Sequence, residues 1–534
     1  MSDEYDYIIV GSGAAGSTLA FRLAQSGRNS VLVLEAGPAN GNPMRRIPKG
    51  FFFTLNGDRY TYHYVTQPIS GTATTEVWTR GKVTGGSTTV NGMMYSRGRR
   101  ADFEALRKYT KADHWGWDSV LATYRAMENH SLGASPTRGV GGRLAISADG
   151  PHDELADRIF AAASEMGWRR VDDLNDGDFE RIGYTASTVY KGRRTSAATA
   201  FLAPALRGGK VHLAVRTRVA RIIVANGRAV GVEASHRGSP KQYRARKEVI
   251  LAAGTIESPA LLERSGIGRG EVLRGLGVDV IIESPNVGER VIEQHGAATV
   301  QARLTQGLGA TEKLNSWFKQ GLGGALYLLT RRGPIATAGY DFTFQCKSEP
   351  SVARPDLVGS VTPFAIDPTA TTVKLADHAG MLVGMYQIRP ETRSTIHASS
   401  IDPDAPPVIS PHYFETETDI RASGHILGRS RELLAKGPLA EVISGEDFPT
   451  EAVPSDPEAA LEYGRQFGAT IYHAVGSCAM GQANDDVVDA QLRVRGVEGL
   501  RVVDASVLPF QVSGNTAAPT MAIGWIAGGL IASG

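Results

Sequence analysis

Two stretches carry groups suited to chemistry. Gly11-Ser12-Gly13-Ala14-Ala15-Gly16 is a Gly-x-Gly-x-x-Gly turn, and Glu35 follows nineteen residues after Gly16. Glycines so spaced suit a dinucleotide pyrophosphate. The first makes the tight turn, the second admits backbone close to phosphate, and the third lets a helix pack on a strand. A carboxylate at the distance of Glu35 accepts hydrogen bonds from ribose hydroxyls, which selects FAD or NAD over NADP. The second stretch holds His473, in a loop of small residues (472–481) where a flat ring has room. A neutral imidazole within hydrogen-bond reach is a natural base for an alcohol proton. Residue type alone does not single it out, because a lone loop histidine is more often structural or solvated and the chain has 12 histidines.

The elements that must position these groups follow from patterning. Residues 7–10 form an apolar run of strand length, Leu19, Ala20, Leu23 and Ala24 recur at helical spacing, and residues 30–34 form a second strand ending at Glu35. Strand, glycine turn, helix, strand and acid thus arrive in order, with the helix N-terminus offering free N–H groups to an anion. Residues 80–93 are rich in glycine and small side chains, so their backbone can lie against a flat ring or a phosphate. The aromatic residues of 51–64 read as core before they read as a flavin wall. An amphipathic helix is expected over 152–168. Strands are expected at 211–215, 219–225 and 229–234, the last two joined by Asn226-Gly227. The apolar run 249–254 returns late to the nucleotide sheet, a habit of FAD proteins of the glutathione-reductase type, and this favours FAD over NAD. Residues 255–268 read as a short helix closed by glycine. From 294 to 467 strand-like runs (357–364, 380–388, 394–399) mix with prolines and a helix near 420–434, which reads as a mostly antiparallel sheet with helices. Residues 500–506 and a small-residue helix from Pro519 return to the first grammar.

Composition sets bounds. A chain of 534 residues can bury two cores, and 42% hydrophobic with 21% charged residues describes an ordinary globular protein. With 57 basic and 55 acidic residues no nucleic-acid partner is implied. Cys346 and Cys478 are the two cysteines, so neither a disulfide framework nor a cysteine metal site is expected. No run is long enough for a membrane span, and no basic-then-apolar leader precedes the first strand, so a cytoplasmic location is expected.

Six segments in order resemble the glucose–methanol–choline (GMC) oxidoreductases. They are Gly11 to Gly16 with Glu35, residues 81–92, residues 254–268, Tyr472-His473-Ala474-Val475-Gly476-Ser477-Cys478, residues 502–509, and Gly514-Asn515-Thr516-Ala517-Ala518-Pro519-Thr520. The resemblance spans essentially the whole chain. It implies an α/β fold: an FAD-binding, Rossmann-like domain (1–150, 193–293 and 470–534) with an inserted α+β substrate domain on an antiparallel sheet (151–192 and 294–469). It marks His473 and Asn515, 42 residues apart, as the catalytic pair. His473 would be the base and Asn515, whose amide accepts no proton, would orient the substrate oxygen. For FAD it marks Gly11, Gly13, Ala14, Ala15, Gly16, Glu35, Gly81, Gly85, Gly86, Ser87, Asn91, Val219, Asp504, Ala505 and Thr516. Some choline-oxidising members carry a flavin-linking histidine where this chain has Val90, so non-covalent FAD is expected. The run Val287-Gly288-Glu289-Arg290-Val291-Ile292-Glu293-Gln294 departs from the family's Val-Gly-x-Asn-Leu-x-Asp-His, with Gln294 at the histidine position. Whether Gln294 or the next residue, His295, makes that contact stays open.

The activity implied is oxidation of an alcohol to the aldehyde, by proton abstraction and hydride transfer to flavin N5. The electron acceptor would be oxygen or another oxidant. The inserted region shows no dense acidic cluster for a quaternary ammonium, which favours a neutral alcohol, and the resemblance to bacterial members acting on primary aromatic or heteroaromatic alcohols implies that class. The alternatives are an FAD-containing hydroxynitrile lyase and a dehydrogenase of choline-like or sugar alcohols. If the His473 imidazole is the base, flavin reduction is expected to rise with pH through its ionisation.

Overall fold

A computed structural model describes residues 3–55, 57–370, 374–450 and 452–533. The β-branched run at the N-terminus forms the strand Glu4–Val10, whose last residues are buried on both faces. It pairs in parallel with Val31–Glu35 on one side and Ser239–Leu251 on the other. Val211–Val215 extends the sheet beyond Val31–Glu35, again in parallel. Parallel strands buried on both faces need continuous apolar runs, which is the sequence seen here. Beyond Ser239–Leu251 lies an antiparallel meander, Arg228–His236 and then Thr217–Ala225. The end of the same long strand pairs in parallel with Leu500–Val502, so chain from near the C-terminus completes the sheet.

The glycine turn leads into the helix Ala14–Ala24. The late helix Ala517–Ser533 packs directly against it. A Cβ on Gly524 would lie 2.4 Å from the Ala15 carbonyl oxygen, and one on Gly528 2.4 Å from Arg22 Cβ. Glycines four apart on one face set this close approach.

A second sheet runs in the order Ile443–Phe448, Ala298–Leu304, Gly380–Gln387, Leu357–Thr362, Phe342–Cys346, Arg181–Tyr184 and Arg169–Arg170. It is antiparallel except for the final pair. Its apolar face carries a separate core with Leu155, Ile159, Phe342, Phe344, Met381, Val383, Ile426 and Leu427. The nucleotide sheet has its own core, to which Val475, Val502 and Met521 belong. The helix expected near 420–434 is two helices, Glu417–Gly424 and Ile426–Leu434, divided at His425. The expected strand at 394–399 is shorter, Thr395–His397. Of the aromatic segment 51–64, residue Asn56 and the side chains of Phe52 and Phe53 lie outside the described residues.

Candidate active site

A cavity of about 670 Å³ takes its walls from the turns of the first sheet and from one face of the second. At its nucleotide end the glycines differ in what surrounds them. Gly11 has φ +104°, and a Cβ there would lie 2.3 Å from the Ala252 carbonyl oxygen. A Cβ on Gly16 would lie 2.0 Å from the Gly11 oxygen, whereas nothing stands within 4 Å of one on Gly13. The outer two glycines are therefore packing requirements, and the middle one faces open space. The second glycine loop lies on the first. The Gly85 N–H donates to the Ser12 hydroxyl (3.2 Å) and carbonyl (3.1 Å), and a Cβ on Gly86 would meet Gly13 Cα at 2.8 Å. Ser87 closes the loop by accepting from the Gly81 N–H at 3.1 Å.

Glu35 is buried at the cavity wall. Its Oε2 accepts from the Ser12 N–H (3.2 Å) and hydroxyl (2.5 Å), and its Oε1 from the Gly37 N–H (2.8 Å). Burial pushes its pKa up and these donors pull it back. A carboxylate has about four lone-pair sites, so one remains for a ribose hydroxyl. Ala14, Ala15, Val219, Asn91, Ala505 and Thr516 also line the cavity. Two marked side chains are already occupied. The Asn91 carbonyl oxygen accepts from Arg194 (2.8 Å) and the Met93 N–H (3.1 Å). The Asp504 carboxylate accepts four bonds, from the Gly254 N–H (2.9 Å), the Ser258 hydroxyl (2.6 Å), and the Ser506 N–H (2.9 Å) and hydroxyl (2.5 Å). Its carboxylate thus ties the start of the helix Gly254–Arg264 to the turn Ala505–Val507 and sets Ala505 at the wall. The bare glycine loops, the open space before Gly13, the helix N-terminus at Ala14 and the acceptor on Glu35 together fit FAD.

The other end of the cavity holds His473 and Asn515, which the structure brings together. Asn515 Nδ2 lies 3.0 Å from His473 Nε2. Asn515 stands two residues before the helix Ala517–Ser533, which rests on Ala14–Ala24, so one helix pair anchors both the phosphate turn and this amide.

Gln294 settles the open contact. Its Nε2 donates to the Ile388 carbonyl, so its Oε1 is left to accept, and it lies 2.8 Å from His473 Nδ1. Nδ1 must then carry the hydrogen, and the Nε2 lone pair, on the cavity side, accepts from the Asn515 amide. His295 is turned away. Its backbone is in the two-residue strand His295–Gly296, and its ring packs on Tyr413 and Phe414 with neither nitrogen hydrogen-bonded.

Burial, with a smaller push from the Arg80 guanidinium, lowers the His473 pKa to about 3. The ring is a neutral proton acceptor at any ordinary pH. The expected rise of the rate with pH through the imidazole's ionisation is thereby moved to low pH, because burial makes the charged ring costly. The group that titrates near neutrality lies behind it. Glu293 Oε1 accepts from the His473 N–H at 2.7 Å, its Oε2 stands 3.5 Å from Arg80, and burial raises its pKa to about 7.

The walls around this pair combine Phe51, Met93, Met94, Tyr340, Tyr386 and Tyr472 with the hydroxyls of Thr299, Ser360 and Thr362 from the second sheet. Phe51 and Tyr64 are buried in small hydrophobic clusters, as the reading of this segment as core expects, and with Tyr62 they also line the cavity. The Tyr386 ring stands edge-on to His473 at 5.7 Å, and its hydroxyl has no hydrogen-bond partner among the described residues. The carboxylates lining the cavity are Glu35, Glu257 and Asp504, all toward the nucleotide end. Glu257 is paired with Arg218 and Arg264. Sequence reading missed Tyr340, Tyr386 and Glu293. Only Glu293 left a signal, as part of the run that departs from the expected motif.

The GMC oxidoreductase models match residues 5–295 with the N-terminal domain and 390–524 with the C-terminal domain. Oxygen-dependent choline dehydrogenase of Rhizobium johnstonii is 33% identical over 522 residues, covering 97% of this chain and 94% of that one. The enzyme of the same name from Rhizobium meliloti is 34% identical with the same coverage. Among solved structures, pyridoxine 4-oxidase from Mesorbium loti superposes with a TM-score of 0.88 at 27% identity over 99% of both chains. A fungal aryl-alcohol oxidase shares the fold, with a TM-score of 0.84 at 23% identity over 100% of this chain and 99% of that one.

Proposed function

The chain belongs to the GMC oxidoreductases, FAD-dependent enzymes acting on alcohol CH–OH groups, and from that premise we propose that it oxidises a neutral primary aromatic or heteroaromatic alcohol to the aldehyde. The observation that carries the substrate class is the wall around His473: aromatic rings and methionines, with no carboxylate among the described lining residues at that end. A quaternary ammonium leaving water is held best by aromatic rings together with a carboxylate; the rings are here, but the described carboxylates of the cavity stand at its other end. Here Arg80 lies beside Tyr472 instead, 5.9 Å from its ring. A neutral ring needs only apolar surface and edge-to-face partners, which Phe51, Tyr340 and Tyr386 supply. The unpaired Tyr386 hydroxyl is a donor for a ring heteroatom or substituent. The name of the pyridoxine 4-oxidase, whose fold this chain shares, points to a pyridine alcohol and supports the same class.

In this reading bound FAD supplies the hydride acceptor, and the chain supplies orientation and a base. Asn515 donates to the substrate oxygen. His473 Nε2 takes the hydroxyl proton as the carbinol hydride leaves carbon, and Gln294 holds Nδ1–H so that Nε2 stays the acceptor. Glu293, through the backbone of His473, favours the positive ring that results. The marked residues of the nucleotide end hold the cofactor through backbone groups and Glu35, and no side chain at Val90 is able to form a flavin bond. Acid or heat should therefore release all FAD from the chain. Flavin that stays with the denatured polypeptide would contradict this.

The test is an anaerobic comparison of choline with benzylic and pyridine-methanol substrates on the FAD-loaded enzyme. The aromatic alcohols should reduce the flavin at far lower concentrations than choline does. The reverse order would refute the substrate class while leaving the alcohol chemistry in place.

Two further outcomes check the proton machinery. Gln294→Ala should slow flavin reduction about 10- to 100-fold with FAD retained, the usual worth of an orienting partner behind an active histidine. An unchanged rate would show that the tautomer is fixed without it. The reduction rate in the native sequence should rise with pH through about 7. Above that value Glu293 carries the negative charge that favours a protonated His473; below it the charge is lost. Glu293→Gln should remove this inflection, and its survival would assign the titration elsewhere.

A further inference from the structure

The helix Trp317–Thr330 stands almost without protein neighbours, and we propose that it seats this enzyme on an anionic membrane surface. It has 14 residues, of which Gly323 and Tyr327 are the buried ones. Phe318, Leu322, Ala325 and Leu329 follow one another at i, i+4, i+7 and i+11, which lines them on one stripe. At 100° per residue that stripe points away from Gly323 and Tyr327, straight out from the protein. Phe318 is 60%, Leu322 57% and Leu329 86% exposed, and Trp317 at the helix start is 84% exposed. Large apolar side chains contiguous in water mark an interaction surface.

Charge decides the occupant. Lys313, Lys319 and Arg332 on and beside the helix are exposed, and no Asp or Glu occurs between Lys313 and Tyr340. Exposed Lys191 and Arg193 join them from the neighbouring turn, which the Tyr327 hydroxyl holds by donating to the Gly192 carbonyl at 2.8 Å. A two-fold contact between copies of this chain would set this basic rim against itself. An anionic bilayer satisfies both parts: acyl chains receive the apolar stripe, and lipid phosphates receive the lysines and arginines. No helix among the described residues is long and apolar enough to cross a membrane, so the helix lies in the interface. The chain leaving it runs to Tyr340 on the cavity wall, pinned on the way by the Lys49 N–H donating to the Ile335 carbonyl (3.3 Å).

The test is co-sedimentation of the FAD-loaded enzyme with vesicles of phosphatidylcholine, alone or mixed with phosphatidylglycerol. The enzyme should pellet with the mixed vesicles, bind those of phosphatidylcholine alone far less, and be released as salt rises. Combined Phe318→Ser, Leu322→Ser and Leu329→Ser should lower partitioning at least about tenfold. Flavin content and the rate of reduction by a water-soluble alcohol should not change. Lys319→Glu with Arg332→Glu should act the same way. Indifference of the native enzyme to phosphatidylglycerol, or full retention of the triple variant on vesicles, would overturn the proposal. A dimer in sedimentation velocity that the triple variant splits would also overturn it and assign the face to a second copy.

Discussion

His473→Ala should keep its FAD and its fold but reduce the flavin roughly 10²–10⁴-fold more slowly with an alcohol substrate, the usual worth of a positioned general base. The size of the loss follows from the geometry. Nε2 is the accepting nitrogen at this end of the cavity because Gln294 holds the other one, and the Asn515 amide that donates to it marks where a substrate hydroxyl would bind. The ring needs no deprotonation before it acts, since its pKa is near 3. Asn515→Ala should cost less, because it removes an orienting amide at 3.0 Å and leaves the base in place. If Asn515→Ala proved the more damaging change, the base would lie elsewhere. His295 would not replace it, since its ring is walled in by Tyr413 and Phe414.

Glu35→Ala should weaken FAD binding by about 1–3 kcal/mol, measured as the FAD concentration that half-saturates the stripped protein. Two losses combine. The ribose loses its acceptor, and the Ser12 and Gly37 N–H groups lose the carboxylate that holds the phosphate turn against the second strand. Ser12 in turn receives the Gly85 N–H, so the second glycine loop loosens as well. Glu35→Gln should be milder, because an amide oxygen still accepts. Unchanged FAD affinity in Glu35→Ala would remove the ribose assignment.

The nucleotide half was legible because its instructions are local. An apolar strand, a glycine turn and an acid lie within 35 residues, and each glycine answers to a contact a few residues or one strand away. The pair His473 and Asn515 became legible through the resemblance, and the structure brings the two within hydrogen-bond distance. What failed to show was whatever depends on burial or on which way one residue faces. Gln294 and His295 are adjacent, and alternation at the short strand His295–Gly296 decides which reaches His473. The rate is expected from the sequence to rise with pH through the imidazole's ionisation, and nothing along the chain shows how far the cavity walls lower that ionisation. Asp504 lines the cavity, but that its four acceptor sites go to Gly254, Ser258 and Ser506 is invisible along the chain, since the start of a distant helix meets it only in the fold. The rings that define the substrate end, Phe51, Tyr340, Tyr386 and Tyr472, come from four separate segments and form no pattern along the chain.

The central claim is that the alcohol's carbinol hydride leaves as His473 takes the hydroxyl proton. It is tested most directly by mixing the FAD-loaded enzyme anaerobically with benzyl alcohol, with and without deuterium on the carbinol carbon, and following the visible absorbance of the flavin. The account predicts full bleaching with one equivalent of aldehyde formed, slowed severalfold by deuterium. Flavin that stays oxidised with every alcohol while a cyanohydrin is cleaved to aldehyde and cyanide would contradict it, and would make the same cavity that of a lyase.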